Sequence, residues 1–244
     1  MRVREMVCAL PGVLEEKKLR LREEILSWAA GNLPRYPWRQ PGAIPYTVLV
    51  GELWLQRTAP ATAVWVYHCF LQQFPSLQDA ARAPEEKLNG VLSCFGLGRY
   101  AEEMTALADR LLREGRGVLP GDSESLARIS GLDRHSIQAI MCFGYGLPVA
   151  VVDSNVARML GRIFGETLPP KLLRESIGAV SQCLLPPRRP QLYNRGLLEV
   201  AEMICTVEDP MCPSCPVAGV CDSARVSPLA DCIPGSTRLL RLEC

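Results

Sequence analysis

Cys205-Thr-Val-Glu-Asp-Pro-Met-Cys212-Pro-Ser-Cys215-Pro-Val-Ala-Gly-Val-Cys221 places four thiols at intervals of six, two and five residues. A loop this compact can turn its sulfurs toward one centre, and thiolates are the ligands that select iron–sulfur clusters or zinc. The other use of such cysteines is burial or disulfide pairing, but disulfides belong to oxidising compartments. Nothing in the chain suggests secretion, because Met1 to Gly12 makes a poor signal peptide and no apolar run is long enough for a bilayer. Zinc usually takes two well-separated Cys-x-x-Cys pairs and this loop has one, so the asymmetric spacing favours a cluster over zinc.

The 244 residues, 48% of them hydrophobic, can bury a sizeable core as one large domain or two small ones. A soluble, intracellular protein is expected, in the cytoplasm or nucleoid and away from membranes. Seven cysteines lie beyond the loop, namely Cys8, Cys69, Cys94, Cys142, Cys183, Cys232 and Cys244. Most of these are expected to act as small core hydrophobes. The formal net charge is +1, and a four-thiolate [4Fe-4S] centre would bring it to about −1. Near-neutrality lowers non-specific affinity for nucleic acid, yet a local basic face, helix N-termini and backbone amides can still bind it.

Outward from the loop, every patterned segment is helical and no alternating strand appears. Glu15 to Ala30 has helical periodicity with Leu19, Ile25, Leu26 and Trp28 inward. Asn32 to Pro45 carries four prolines around Tyr36, Trp38 and Arg39 and reads as a pinned linker. The next helix, from Tyr46, is apolar on nearly every side, so Glu52 is either on a narrow polar edge or a buried acid whose pKa is raised. Helices follow at Ala63–Gln73, Pro84–Leu92, Tyr100–Arg113 (ending at Gly115 to Gly117), Ser123–Ile129 and Ser136–Phe143. Ile129 to Ile140 forms helix, Gly-containing turn, helix. Asn155–Phe164, Pro169–Leu184 and Gln191–Cys205 complete the series, the last delivering the first ligand of the loop.

The cysteine spacing, Pro37-Trp38-Arg39, the hairpin at Ile129-Ser130-Gly131-Leu132-Asp133 and the run Val149-Ala-Val-Val-Asp153 together resemble the helix-hairpin-helix DNA glycosylases of the endonuclease III and MutY group. The resemblance implies an all-α fold of two helical lobes with a DNA-binding cleft between them. Residues 1–40 and 149–226 would form the lobe carrying a [4Fe-4S] cluster on Cys205, Cys212, Cys215 and Cys221. Residues 41–148 would form the helical bundle with the hairpin, and 227–244 a short tail. Members of the MutY branch carry a further domain after the cluster, for which about twenty residues remain here.

By the same resemblance Glu52 is the acid and water-activating residue and Asp153 the carboxylate facing the sugar, although Asp153 also suits a helix N-cap. His135 stands where strand-cleaving members carry Lys; without that amine no Schiff base forms, which implies a monofunctional glycosylase. His135 itself is a catalytic candidate or a neutral space-filler. Gln56, Arg57, Gly131 and Asn155 are the implied DNA- and base-binding residues, with a solvated helix end as the other reading of Gln56 and Arg57. The family hairpin has a second Gly where this chain has Asp133, whose charge either weakens the phosphate anchor or re-aims the loop. The implied partner is double-stranded DNA holding a mismatch or lesion, met by a monomer. Arg57-Thr58 and the compact layout favour thymine or uracil opposite guanine; adenine opposite guanine or 8-oxoguanine is the other substrate. The competing functions are a non-catalytic iron–sulfur DNA-binding or damage-sensing protein and a zinc-stabilised interaction module.

Overall fold

The computed structural model describes residues 13–114, 118–129, 131–165, 168 and 170–226. The expected tail at 227–244, the stop at Gly115 to Gly117, Ser130 of the hairpin, and Cys8, Cys232 and Cys244 lie outside the described residues. Among the described residues the elements are helical and no strand occurs. The helices are α1 (Val13–Asn32), α2 (Pro45–Leu55), α3 (Pro60–Gln73), α4 (Leu77–Arg82), α5 (Glu85–Ser93), α6 (Ala101–Glu114), α7 (Ser123–Arg128), α8 (Arg134–Ala139), α9 (Ser154–Phe164), α10 (Pro170–Leu184), α11 (Pro190–Met203) and α12 (Asp222–Val226).

Local chemistry sets many of the starts. Prolines open α2, α3 and α11, where the missing N–H costs nothing and φ is already helical. Asp122, Asp133 and Asp153 cap α7, α8 and α9 through side-chain oxygens that accept from Ser125, Ser136 and Val156 N–H. Helix α4 went unpredicted because it is six residues long, yet Ser76 caps it onto Asp79 N–H. The hairpin's second helix ends at Ala139 and continues as a π-helical turn, Ile140–Gly144, that packs on α2.

Packing sorts the elements into two groups. Helix α1 lies on α11, with α9 against α10, α11 and α12; α2 to α8 pack among themselves, α4 on α6 and α2 on α3 and α8. One continuous apolar core runs through both. The inward face of α1 differs from the expected one: Leu21, Ile25 and Ala29 are buried, whereas Leu19 is 48% exposed and Leu26 and Trp28 are only partly covered. The periodicity was ambiguous there because Lys17 is also buried, paired with Asp222. Of the other cysteines, Cys142 is a buried thiol, Cys94 is exposed and Cys183 is disulfide-bonded. No described helix is long and apolar enough to cross a membrane.

Candidate active site

Helix α2 carries Glu52 into the core, 1% exposed. A lone carboxylate there would cost several kcal/mol, and the proline-rich linker supplies the compensation. Arg39 donates from Nε to Glu52 Oε1 (2.7 Å) and from Nη2 to Oε2 (2.9 Å), a bidentate pair, and Trp38 Nε1 donates to Oε1 (3.1 Å). Gly51 makes this possible, because a Cβ there would lie 2.1 Å from the Trp38 ring. Arg39 is held between the Tyr36 and Phe143 rings, and its Nη1 reaches Glu199 Oε1 on α11 at 3.2 Å. Neither the bidentate pair nor Glu199 was anticipated from the sequence.

These contacts correct the expected ionisation of Glu52. Burial pushes its carboxyl up, but the Arg39 charge and hydrogen bonds, with His135 added, overcome burial and hold it at about 2. Glu52 is therefore an ionised base in the resting protein. Glu199 goes the other way: burial raises it to about 7, against the pull of Arg39 and with the charges of Glu202 and Glu52 adding to the rise.

A folded pKa above the unfolded value means stability that is full below about 4.5 and is lost as pH rises through about 7. Glu199→Gln keeps an acceptor for Arg39 and removes that titration. The variant is expected to flatten the fall in unfolding free energy between about pH 4.5 and pH 8, on the order of 3 kcal/mol. Urea melts across that range measure it, and parallel curves for both proteins would refute the assignment.

His135, in the first turn of α8, sets Nε2 3.4 Å from Glu52 Oε2. Burial lowers its pKa, but the contact and charge of Glu52 together with the charge of Asp153 outweigh burial and the opposing charge of Arg39, so the net shift is upward. Its Nδ1 is buried without a hydrogen-bond partner. Asp153 is the N-cap of α9, accepting from Val156 N–H at 2.7 Å. The structure thus sets His135 against Glu52, with Arg39 on the same carboxylate and Asp153 near enough for its charge to act on His135.

The remaining expected residues are placed differently. Gln56 is exposed beyond α2, and its Nε2 donates to Ser136 Oγ at 3.3 Å, joining it to the hairpin helix. Arg57 pairs with Glu103, lies over the Tyr100 ring and donates to Leu53 O. Its side chain is 17% exposed, so it is not a fully solvated helix end. Asn155 accepts from Arg158 Nη1 at 2.8 Å, while Arg158 grips the carbonyls of Ala201 and Cys205. Gly131 forms the hairpin turn at φ +99°, open to glycine at little cost. Asp133 caps α8 by accepting from Ser136 N–H; burial raises its carboxyl, but the Ser136 hydroxyl and amide together lower it.

The cysteine loop follows α11 through two short 3-10 turns, Cys212–Ser214 and Ala218–Val220. Cys205 is buried and the other three thiols are partly covered. Burial pushes Cys215 up to about 11 against the Val217 amide, and the sulfurs of Cys205, Cys221 and Cys212 add to the rise. Arg162 Nη1 donates to Cys205 Sγ (3.3 Å) and Thr206 O (2.6 Å), and amides of Ser223 and Ala224 face Cys221. This donor set suits anionic thiolates. No three His, Cys, Asp or Glu groups among the described residues are placed to hold a metal ion.

Comparison with known proteins gives a consistent result. The model of the HhH-GPD superfamily base excision DNA repair proteins matches residues 50–178. The chain is 32% identical over 210 residues to the Homo sapiens adenine DNA glycosylase, covering 82% of this chain and 38% of that protein. It is 29% identical over 207 residues to the Pyrobaculum aerophilum thymine/uracil-DNA glycosylase, covering 82% of this chain and 89% of the relative. The solved structure of a thermostable thymine-DNA glycosylase superposes with a TM-score of 0.80 at 23% identity over 88% of this chain, a likeness of fold.

Proposed function

Since the chain belongs to the HhH-GPD superfamily of base excision DNA repair proteins, we propose that it is a monofunctional DNA glycosylase acting as a monomer on duplex DNA. It hydrolyses the N-glycosidic bond of a mispaired base extruded into the cleft between the bundle 41–148 and the lobe formed by 1–40 and 149–226. The substrates are thymine or uracil opposite guanine, or adenine opposite guanine or 8-oxoguanine. The observation that carries this reading is the buried Glu52, fixed by Arg39 and Trp38 and touching a His135 that also feels the charge of Asp153.

The chemistry follows from those charges. Breaking the C1′–N bond sends its electron pair to the base, which must gain a proton, and leaves an oxocarbenium-like sugar that a carboxylate stabilises. Asp153 supplies that carboxylate. Glu52, ionised at rest, takes a proton from the attacking water as the C1′–O bond forms. His135, drawn toward its charged form, is the neighbouring proton source for the departing base. No lysine stands at position 135, so the abasic sugar is released with the strand intact.

The cysteines Cys205, Cys212, Cys215 and Cys221 would hold a [4Fe-4S] cluster. Such a centre supplies one-electron chemistry and staples the loop; the excision steps above use only side chains. The Arg162 guanidinium on Cys205 Sγ and the amides at Cys221 support thiolate ligands in this loop. Anaerobically purified protein is expected to carry about four iron and about four sulfide per chain. Cys212→Ser should lose most of both, and stoichiometric zinc would contradict the assignment.

A second reading, an iron–sulfur damage sensor without activity, draws on one observation: Asp133 spends the Ser136 amide of the hairpin helix on its own carboxylate. A panel of duplexes with A opposite 8-oxoguanine, A opposite G, T opposite G and U opposite G separates the two. Free base from one or more duplexes supports the glycosylase, and binding without release supports the sensor.

A further inference from the structure

The strap from Pro148 to Val152 runs between the hairpin and Asp153 and belongs to no helix. Three successive backbone N–H groups on it donate to side-chain amide oxygens from three different helices. Ala150 N–H meets Gln182 Oε1 on α10 at 2.9 Å, Val151 N–H meets Asn194 Oδ1 on α11 at 3.1 Å, and Val152 N–H meets Gln138 Oε1 on α8 at 3.0 Å. Gln182 Nε2 and Asn194 Nδ2 donate in return to the carbonyls of Pro148 (2.9 Å) and Val149 (2.8 Å). Carboxamides are suited to this, because one group both donates and accepts and so replaces the ladder partner that an extended segment otherwise needs.

Gln138 differs from the other two. It grips the residue next to Asp153, and it follows His135 by three residues on the same short helix. One hydrogen bond therefore ties the helix that presents His135 to the segment that presents Asp153. Around His135 stand Glu52 on α2, Asp153 at the head of α9 and Arg39 from the linker, so its surroundings report where Asp153 lies. We propose that Gln138 is a positioning residue that sets Asp153 against His135 and Glu52, making the hairpin helix and the carboxylate move as one body. Its effect on rate rests on the base-excision reading above; its effect on the surroundings of His135 does not.

Gln138→Met removes the acceptor at nearly unchanged length, Gln138→Leu is a second apolar replacement, Gln138→Glu restores an acceptor, and Gln182→Leu cuts the strap farther from Asp153. The chain has 2 histidines, so an NMR titration of the imidazoles, assigned with His68→Gln, follows His135 directly. We expect Gln138→Met or Gln138→Leu to lower the His135 pKa measurably, as loss of a neighbouring anion does, with Gln182→Leu close to wild type. Single-turnover base release should fall at least about 10-fold in Gln138→Met while duplex affinity stays within about 2-fold, and Gln138→Glu should recover most of the rate. An unchanged His135 titration overturns the proposal. So does a loss of rate, affinity and Tm together that Gln182→Leu reproduces, because that is general loosening. If the wild-type protein releases no base from any duplex, the base-excision reading fails, and the His135 titration alone decides the positioning.

Discussion

Asp153→Asn is expected to lower single-turnover base release by about 10³-fold while leaving the fold intact. The two halves of that expectation have separate causes. Asp153 caps α9 through one side-chain oxygen accepting from Val156 N–H, and Asn caps a helix about as well as Asp. Thermal stability should therefore change little. What Asn cannot supply is the negative charge opposite a sugar that becomes cationic as its bond to the base breaks. His135, which the Asp153 charge helps draw toward its protonated form, should titrate lower in the variant. Retained duplex binding with lost release is the signature; release within about 3-fold of wild type would show that Asp153 is a cap and no more.

Arg39→Leu is expected to cost stability on the order of 3–5 kcal/mol at neutral pH, roughly 10–15 °C in Tm. Arg39 is the cation shared by Glu52 and Glu199, both nearly inaccessible. Its removal leaves Glu52 buried without its counterion and pushes Glu199, already raised to about 7 in the presence of Arg39, further toward its neutral form. The depressed Glu52 pKa fixes the pH dependence. Its stabilising contribution is present above the unfolded value of about 4.5 and is lost as pH falls toward about 2. In Arg39→Leu that contribution disappears, and the variant should be least disadvantaged in acid, where both carboxyls are neutral. Guanidinium melts at pH 7 and pH 4 measure the difference, and a gap that is the same at both pH values would refute it. Arg39→Lys should recover only part of the loss, because a point charge cannot make the bidentate pair.

What the sequence made legible is whatever depends on spacing. The cysteine intervals, the Gly131 turn between two helices and the Asp153 cap are all local, whereas the starts at Pro45, Pro60 and Pro190 and the caps at Asp122 and Asp133 were not read from it. The ionisation of Glu52 is not local. Its bidentate partner lies 13 residues upstream, and the second carboxylate on that partner is 160 residues further on. An apolar helix around a glutamate suggests a raised pKa until the arginine is placed. Arg57 shows the same limit: its pairing with Glu103 and its place over the Tyr100 ring join it to residues more than forty positions away, which spacing does not reveal. On α1, reading Leu19 as inward failed because a buried lysine, paired across the fold with Asp222, broke the apolar stripe.

The most direct measurement is a paired time course on a responsive mismatch duplex, following free base by chromatography and strand integrity on a gel without alkali. Base should appear at a measurable single-turnover rate while the strand stays whole, breaking only after alkali is added. Strand breaks rising with the base in the absence of alkali would place an amine nucleophile in the site and contradict the roles given to His135, Glu52 and Asp153.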